Sequence, residues 1–412
     1  MMRLTLTLMT SLSLSLSMAG CGSHSRAATP TEASSTAGLS ASNREAPGPV
    51  LLAPQNAAVQ YRTTPSFTWE RVEAADNYEV QIAADARFSQ LVDTDAVSVP
   101  RYVAAGALPT GTLYWRVRAV MPDGTSGRYS DVSTLTLQQP QAVFDIPDGS
   151  GIEEVERIIA EAAAHTPAVV RFAPGGSYRL APTQKDLIKV DSVSNLIVEG
   201  QGATVTFTDA TAGLARLNNC TSILIRDLIV RFDPLPYTVG VVRCADSTTG
   251  EFTLAMDTPQ MVPFDEEPIV NHWTWGVLLD PDVPGKMLDG SPLVISTVEG
   301  EAARSTSADG ETLYTLRLKS PTQAKYFVPG AKYIQFARNG GRSLVASTGS
   351  TDVTCLNVTN YGISGGHYLC TEGSDFKVLG CTSLIPEGQW FGGNADGIHV
   401  RSNKLGPWVE GC

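Results

Sequence analysis

Ile223-Leu224-Ile225-Arg226-Asp227-Leu228, Val353-Thr354-Cys355-Leu356-Asn357-Val358 and Phe376-Lys377-Val378-Leu379-Gly380-Cys381 are three copies of one pattern: apolar, one residue, apolar, two residues, apolar. Alternation followed by a single slip is what a strand needs when it turns a corner and continues on a new face. The residue before the third apolar position is Asp227, Asn357 or Gly380, types that tolerate such a bend. From Val353 to Phe376 is a step of 23 residues, which suits one turn of a solenoid. A fourth copy, Pro407, Val409 and Cys412, arrives after 31 residues, the surplus falling where Gly388-Gln389-Trp390-Phe391-Gly392-Gly393 protrudes. Long loops on a rigid coil are where binding tends to reside.

Upstream, Ile152, Val155, Ile158 and Ile159 fall at helical spacing beside Glu153, Glu154 and Glu156, and an Ala-rich tail leads into Val169-Val170-Arg171-Phe172. Pro174-Gly175-Gly176-Ser177-Tyr178-Arg179-Leu180 then turns into the next strand. The open end of a stacked coil is a sticky sheet edge, so a helix at this point is expected to cover it. Between Tyr237 and Asn339 the repeat is lost. That stretch, holding His272-Trp273-Thr274-Trp275, reads as a β-rich insertion over about 237–340 that leaves the coil and returns to it.

Toward the N-terminus the period changes. Phe67-Thr68-Trp69, Tyr78-Glu79-Val80-Gln81-Ile82 and Leu113 to Val120 alternate apolar and polar residues, and Pro122-Asp123-Gly124 supplies a turn, so residues 50–138 predict a β-sandwich. Residues 21–49 are Ser, Ala, Thr and Gly with scattered charges, too polar to fold, and read as a tether. Residues 1–20 carry Arg3, a Leu-dominated apolar run and small residues before Cys21, an export signal too short to span a membrane. Ser17-Met18-Ala19-Gly20-Cys21 resembles a bacterial lipobox, with Met18 where Leu is commoner. That resemblance implies lipidation of Cys21 and a protein anchored to a membrane, through its N-terminal lipid only, in the bacterial envelope.

Trp69 after a Pro-rich entry, the Tyr-x-Val-x-Ile strand and Tyr114-Trp115-x-Val117-x-Ala119-Val120 resemble the fibronectin type III family, whose modules in exported bacterial proteins serve as spacers or docking units. The helix, the Pro-Gly turn and the strand that follows look like the N-terminal cap of pectate-lyase-like right-handed β-helices. Leu196 to Ala203, Ile225-Arg226-Asp227-Leu228, Asp233-Pro234-Leu235-Pro236-Tyr237, an insertion, and then Asp396-Gly397-x-His399 follow the order seen in β-helical α-1,3-galactosidases. Asn394-x-Asp396-Gly397 also looks like the first catalytic motif of polygalacturonases. The expected class is therefore all-β: a β-sandwich, then a right-handed parallel β-helix over 139–412 with an N-terminal capping helix and a β-rich insertion.

Both resemblances imply hydrolysis of a glycosidic bond, which takes two carboxyl groups. Asp396, on a Gly turn at the head of a strand, is the candidate for one of them; taken alone, Asp-Gly is simply a turn. The galactosidase-like family places an Asp-Asp pair after a Gly-Pro-x-x-Glu-x-Cys strand, which Gly406 to Cys412 match. The chain as given stops there, so it reads as a fragment and as catalytically incomplete. Ile398 and Val400 share inward parity, so His399 and Arg401 are expected to face outward together, and Trp408 and Glu410 to do so on the next copy. With Trp390 these residues would stack a sugar ring and bind its hydroxyls. His272 and His367 stand alone without metal-ligand spacing, and no cofactor is expected.

With 42% hydrophobic and 17% charged residues the chain is folded, and a net charge of −12, or −13 once Arg3 is removed, makes nucleic acid and anionic lipid poor partners. The expected partner is a polysaccharide or oligosaccharide. Six cysteines besides Cys21 form no C-x-x-C pair; an even number in an exported chain permits disulfides, yet several sit at core positions of the repeat, where a thiol acts as a small hydrophobe. Three functions fit this reading: a glycoside hydrolase, a non-catalytic glycan-binding or adhesion module, and a β-eliminating polysaccharide lyase.

Overall fold

The computed structural model describes residues 48–412 except 105, 258–260, 271–274, 338–341, 364, 386 and 390–396. Asp396, Trp390, His272 and Cys21, with the export signal and the tether up to residue 47, lie outside the described residues.

Period-two alternation builds a β-sandwich first. Leu51–Ala53, Ser66–Trp69 and Arg101–Val103 form one antiparallel sheet. The other sheet runs in the order Ala58–Gln60, Ser133–Leu137, Gly111–Val120, Asn77–Ala83, Leu91–Val97, with Ser126–Tyr129 paired to Gly111–Val120. The inward positions Phe67, Trp69, Tyr78, Val80, Ile82, Trp115 and Val117 are all buried, each contributing about 1.5–3 kcal/mol of transfer free energy. Phe67 meets Trp115 edge-on at 5.0 Å.

A right-handed parallel β-helix follows, as the repeat predicts. Its long sheet stacks Ala142–Ile146, Ala168–Phe172, Ser194–Phe207, Thr221–Phe232, Thr351–Leu356, Ser374–Leu379 and Trp408–Glu410. A second sheet stacks Asp186–Asp191, Gly213–Asn218, Val345–Thr348, Tyr368–Thr371 and Ile398–Arg401. A third face comprises Ser177–Leu180, the ends of the two longest strands, Thr359–Tyr361 and Thr382–Leu384. The register is the one the repeat gives: Ile223, Val353 and Phe376 align, as do Ile225, Cys355, Val378 and Val409. Asp227, Asn357 and Gly380 all adopt left-handed φ of 56°, 52° and 59°, so the slip in the pattern is a corner in the chain. Asn357 Nδ2 donates to Asp227 Oδ1 at 3.1 Å along that edge. A Cβ on Gly380 would stand 2.6 Å from Asn357 Oδ1.

The helix Ile152–Ala164 buries Val155, Ile158, Ile159 and Ala162 in the coil's core, against the first strands of the two sheets. Glu153 and Glu154 occupy its first turn, where the helix dipole favours negative charge. Thr221 pairs with Thr351 directly across the intervening residues. The excursion between them forms a six-stranded antiparallel sheet in the order Gly276–Leu279, Lys332–Phe336, Tyr237–Ala245, Glu251–Met256, Thr312–Leu318, Thr297–Thr306. It has its own core around Phe252, Leu254, Leu316 and Tyr333.

One outward row of the long sheet is not solvated. Val169, Ile197, Leu224, Thr354, Lys377 and Trp408 pair in register from rung to rung, yet none is more than 7% exposed. The sandwich covers them. Gln60, Tyr61 and Arg62 border the same crevice as Asn195, Ile197, Ser222 and Leu224, and Arg62 Nη1 donates to Thr354 Oγ1 at 3.0 Å. Arg62 also pairs with Asp352, which accepts from Lys377 Nζ at 2.9 Å. At the far end Arg101 Nη1 donates to the Pro407 carbonyl at 3.1 Å, and its guanidinium lies 5.5 Å from the Trp408 ring centroid.

Candidate functional site

The alternation expected after the Asp-Gly turn is realised at Ile398–Arg401, where Ile398 and Val400 pack on the core and His399 and Arg401 face outward, exposed. His399 lies beside Leu369 and Arg401 beside Thr371 in the second sheet. Tyr368 N–H donates to the Gly397 carbonyl at 3.0 Å and Glu372 N–H to the Arg401 carbonyl at 2.9 Å, so the strand that follows Asp396 is fixed at both ends.

Trp408 and Glu410 have the expected outward parity but belong to the long sheet. Ser402, at a left-handed φ of 54°, turns the chain between the two faces. Trp408 lies under Arg101, only 7% exposed, and its Nε1–H donates to Glu410 Oε2 at 2.8 Å. The structure thus brings His399 and Arg401 together and does not bring Trp408 or Glu410 to them; the single cleft expected of these four residues is divided by a corner of the coil.

A cluster that sequence reasoning set aside lies at the level of Gly397. Two rows of the coil turn polar there, Asn360 and His367 buried and Ser383 exposed. Val205, Val230, Asn360 and Ser383 occupy one row by register. Leu187, Leu214, Leu344, His367 and Gly397 each precede a register-matched residue of the second sheet. Ser383 Oγ lies 2.7 Å from His367 Nδ1 and 2.8 Å from Asn360 Oδ1. Asn360 Nδ2 lies 3.1 Å from the same ring nitrogen; an amide NH2 only donates, so this contact makes Nδ1 an acceptor with the proton on Nε2, whereas a proton on Nδ1 would serve Ser383 instead. Burial lowers the His367 pKa to about 4, so the ring is neutral over the physiological range. The signal for this cluster was in the sequence as a switch from Val to Asn and Ser, and from Leu to His, at fixed register. It becomes visible only once the rungs are aligned across the insertion. Among the described residues no His, Cys, Asp and Glu side chains gather as a metal site.

No protein-family model matches the chain, and no curated protein matches it. Solved structures do. The fibronectin(III)-like modules of Clostridium thermocellum CbhA align at 14% identity over 22% of this chain and 96% of theirs, with a TM-score of 0.18. A family 28 exopolygalacturonase of Yersinia enterocolitica aligns at 13% identity, TM-score 0.42, over 86% of this chain, which spans 61% of that enzyme's length. Pectate lyase PelI of Erwinia chrysanthemi, in complex with tetragalacturonic acid, aligns at 8% identity over 88% of this chain and 99% of its own, TM-score 0.21.

Proposed function

We propose that the protein is an envelope-anchored, carbohydrate-active β-helix that binds a glycan at the corner formed by Gly397, His367, Asn360 and Ser383 and hydrolyses its glycosidic bond, with Asp396 as one of the two carboxyl groups. The observation that carries this reading is the polar turn of two rows of the coil at one level, with His367 and Asn360 buried, next to the strand that Asp396 precedes. Polar groups in a solenoid core cost free energy unless they are satisfied, and here Asn360, Ser383 and His367 Nδ1 satisfy one another. A neutral imidazole bonds a sugar hydroxyl through its second nitrogen without drawing a counter-ion, and His399 and Arg401 on the adjoining outer face supply further polar groups. Acid chemistry at this place needs a carboxyl held on a stiff support, which the strand Ile398–Arg401 provides.

The test is release of reducing ends from a panel of neutral and uronic oligosaccharides, beside direct binding to the same panel. The proposal expects of this chain binding that His367→Ala weakens about tenfold, and, once the second carboxyl is supplied, turnover that Asp396→Asn lowers by about 10²-fold or more. Binding without turnover in that complete form would leave an adhesion module. An unsaturated product absorbing in the ultraviolet would mean elimination instead of hydrolysis. Binding to no glycan, or binding indifferent to His367→Ala and His399→Ala, would overturn the site.

A further inference from the structure

The third apolar positions of successive rungs are Leu228, Val358, Cys381 and Cys412. Only the last two rungs therefore set sulfur beside sulfur. Val378 pairs with Val409 and Leu379 with Glu410 in parallel register, which brings Cys381 and Cys412 level with each other. Both corners have the same backbone: Gly380 and Gly411 adopt φ of 59° and 66°, Gly380 N–H donates to the Glu410 carbonyl at 2.8 Å, and a Cβ on Gly411 would lie 3.6 Å from Gly380 Cα. The thiols repeat each other's surroundings as well. Cys381 Sγ lies 3.6 Å from the carbonyl two residues back, Leu379, and 3.5 Å from that of Cys355 one rung below. Cys412 Sγ lies 3.4 Å from the Glu410 carbonyl and 3.4 Å from that of Val378, and Val378 is the register partner of Cys355. Two cysteines at matched corners of adjacent rungs have Cα atoms about 4.8 Å apart along the stack, within the Cα separation that a disulfide bridges, so a rotation about Cα–Cβ that turns each Sγ from its carbonyls toward the other joins them.

We propose that Cys381 and Cys412 form a disulfide that joins two adjacent rungs of the coil covalently. The bond links the corners on either side, in sequence, of the strand Ile398–Arg401, so the rungs flanking His399 and Arg401 are held by more than strand pairing. Cys412 is the exposed member. The proximity of the two thiols lowers the pKa of Cys412 and raises that of Cys381. Cys412 is therefore the attacking thiolate. It displaces one thiolate from an incoming small-molecule disulfide and forms a mixed disulfide; Cys381 gives up its proton, attacks Cys412 Sγ and releases the second thiolate. Two cysteine thiols are oxidised, the incoming disulfide is reduced to two thiols, and the two protons pass to the departing thiolates. Cys220, Cys355 and Cys370 are buried with thiols raised by burial, and they stay reduced.

The experiment treats the folded full chain with oxidised glutathione, alkylates free thiols, digests without reduction and maps the peptides by mass. The expected product joins the peptide holding Cys381 to that holding Cys412, lighter than the two together by two hydrogens. A melting temperature several degrees higher than that of the reduced chain should accompany it. Cys412→Ser should abolish the joined peptide and make melting insensitive to a reductant. Recovery of Cys412 as an alkylated thiol, or as a lasting glutathione adduct with Cys381 free, would overturn the proposal. So would a reductant effect on melting that persists in Cys412→Ser.

Discussion

Arg62 of the sandwich and Asp352 of the coil form a buried ion pair between the two parts of the chain. Asp352 stands at a left-handed corner, φ 57°, and it also accepts from Ser222 Oγ at 2.8 Å and from Lys377, itself held by Asp375. One carboxylate therefore serves the corner of the coil and the seat of the sandwich together. The sandwich is a fixed wall along the long sheet, and the second sheet is left as the coil face on which His399 and Arg401 are exposed.

Breaking that pair from one side should be costly. Asp352→Asn leaves Arg62 and Lys377 charged in a buried place with one partner fewer, a change worth about 3–5 kcal/mol. Denaturant unfolding should show a loss of that order. Replacing Arg62 by Met should cost less, because Lys377 keeps both Asp352 and Asp375. Equal losses from the two variants would refute the idea that Asp352 is the hub.

Acid should find the same residue. Burial raises the Asp352 carboxyl, but the charges of Arg62 and Lys377 outweigh burial and bring it to about 2, below the ordinary 3.8. Its stabilisation is in full above pH 3.8 and is lost as pH falls through the folded value, a contribution of about 2 kcal/mol. The unfolding free energy of the native chain should therefore drop between about pH 4 and 2 more steeply than that of Asp352→Asn. Parallel curves for the two would show that the carboxylate gains nothing from its neighbours.

Covering a row of the long sheet with the sandwich predicts what happens when the row is spoiled. Ile197→Asp or Leu224→Asp puts an unpaired charge into the contact, where burial costs several kcal/mol. Since both side chains point away from the coil's core, the coil should stay folded while the sandwich swings free. Small-angle scattering should then report a larger maximum dimension at unchanged circular dichroism. An unaltered scattering profile would mean that the contact is held elsewhere.

The corners of the coil were legible because each needs both an interruption of the alternation and a residue at ease with positive φ, and Asp227, Asn357 and Gly380 supply both at the same place in each copy. The sandwich was legible for a similar reason: Trp69, Tyr78 and Trp115 are large apolar residues at period two. Illegible were the partners of outward residues. Alternation states that Thr354, Lys377 and Trp408 leave the core, and it is silent on whether water or a second domain receives them. Trp408 was therefore expected to face a sugar, and it faces Arg101. His367 was overlooked because its partners Asn360 and Ser383 lie 7 and 16 residues away on another face of the coil, and they meet it only through the winding and stacking of the rungs. Cys381 and Cys412 were readable as core positions, and their adjacency followed from the register alone.

The neutral state of His367 gives a second pH dependence. In the unfolded chain an imidazole takes its proton near 6.5, while burial lowers His367 to about 4 in the folded protein. The unfolded state therefore binds the extra proton first. The stability that the neutral ring contributes is in full above pH 6.5 and drains away as pH falls to about 4, by about 3 kcal/mol. Chemical unfolding at a series of pH values should show this slope for the native chain and a flattened one for His367→Asn. A slope unchanged by the substitution would mean that His367 is protonated in the folded state and donates to its neighbours.

Gly380 offers a test of the corner by compensation. Alanine there has to hold φ near 59°, at a cost of about 1 kcal/mol, and its Cβ meets Asn357 Oδ1 at 2.6 Å. Gly380→Ala alone should therefore lose more than the backbone term, about 2 kcal/mol in all. Asn357→Gly removes the obstructing side chain at the expense of its hydrogen bond to Asp227, about 1 kcal/mol. In that background the alanine should cost only the backbone term, so the double-mutant cycle should show a favourable coupling. Strict additivity would place the cost of Gly380→Ala entirely in its own φ, with no contribution from the rung beneath.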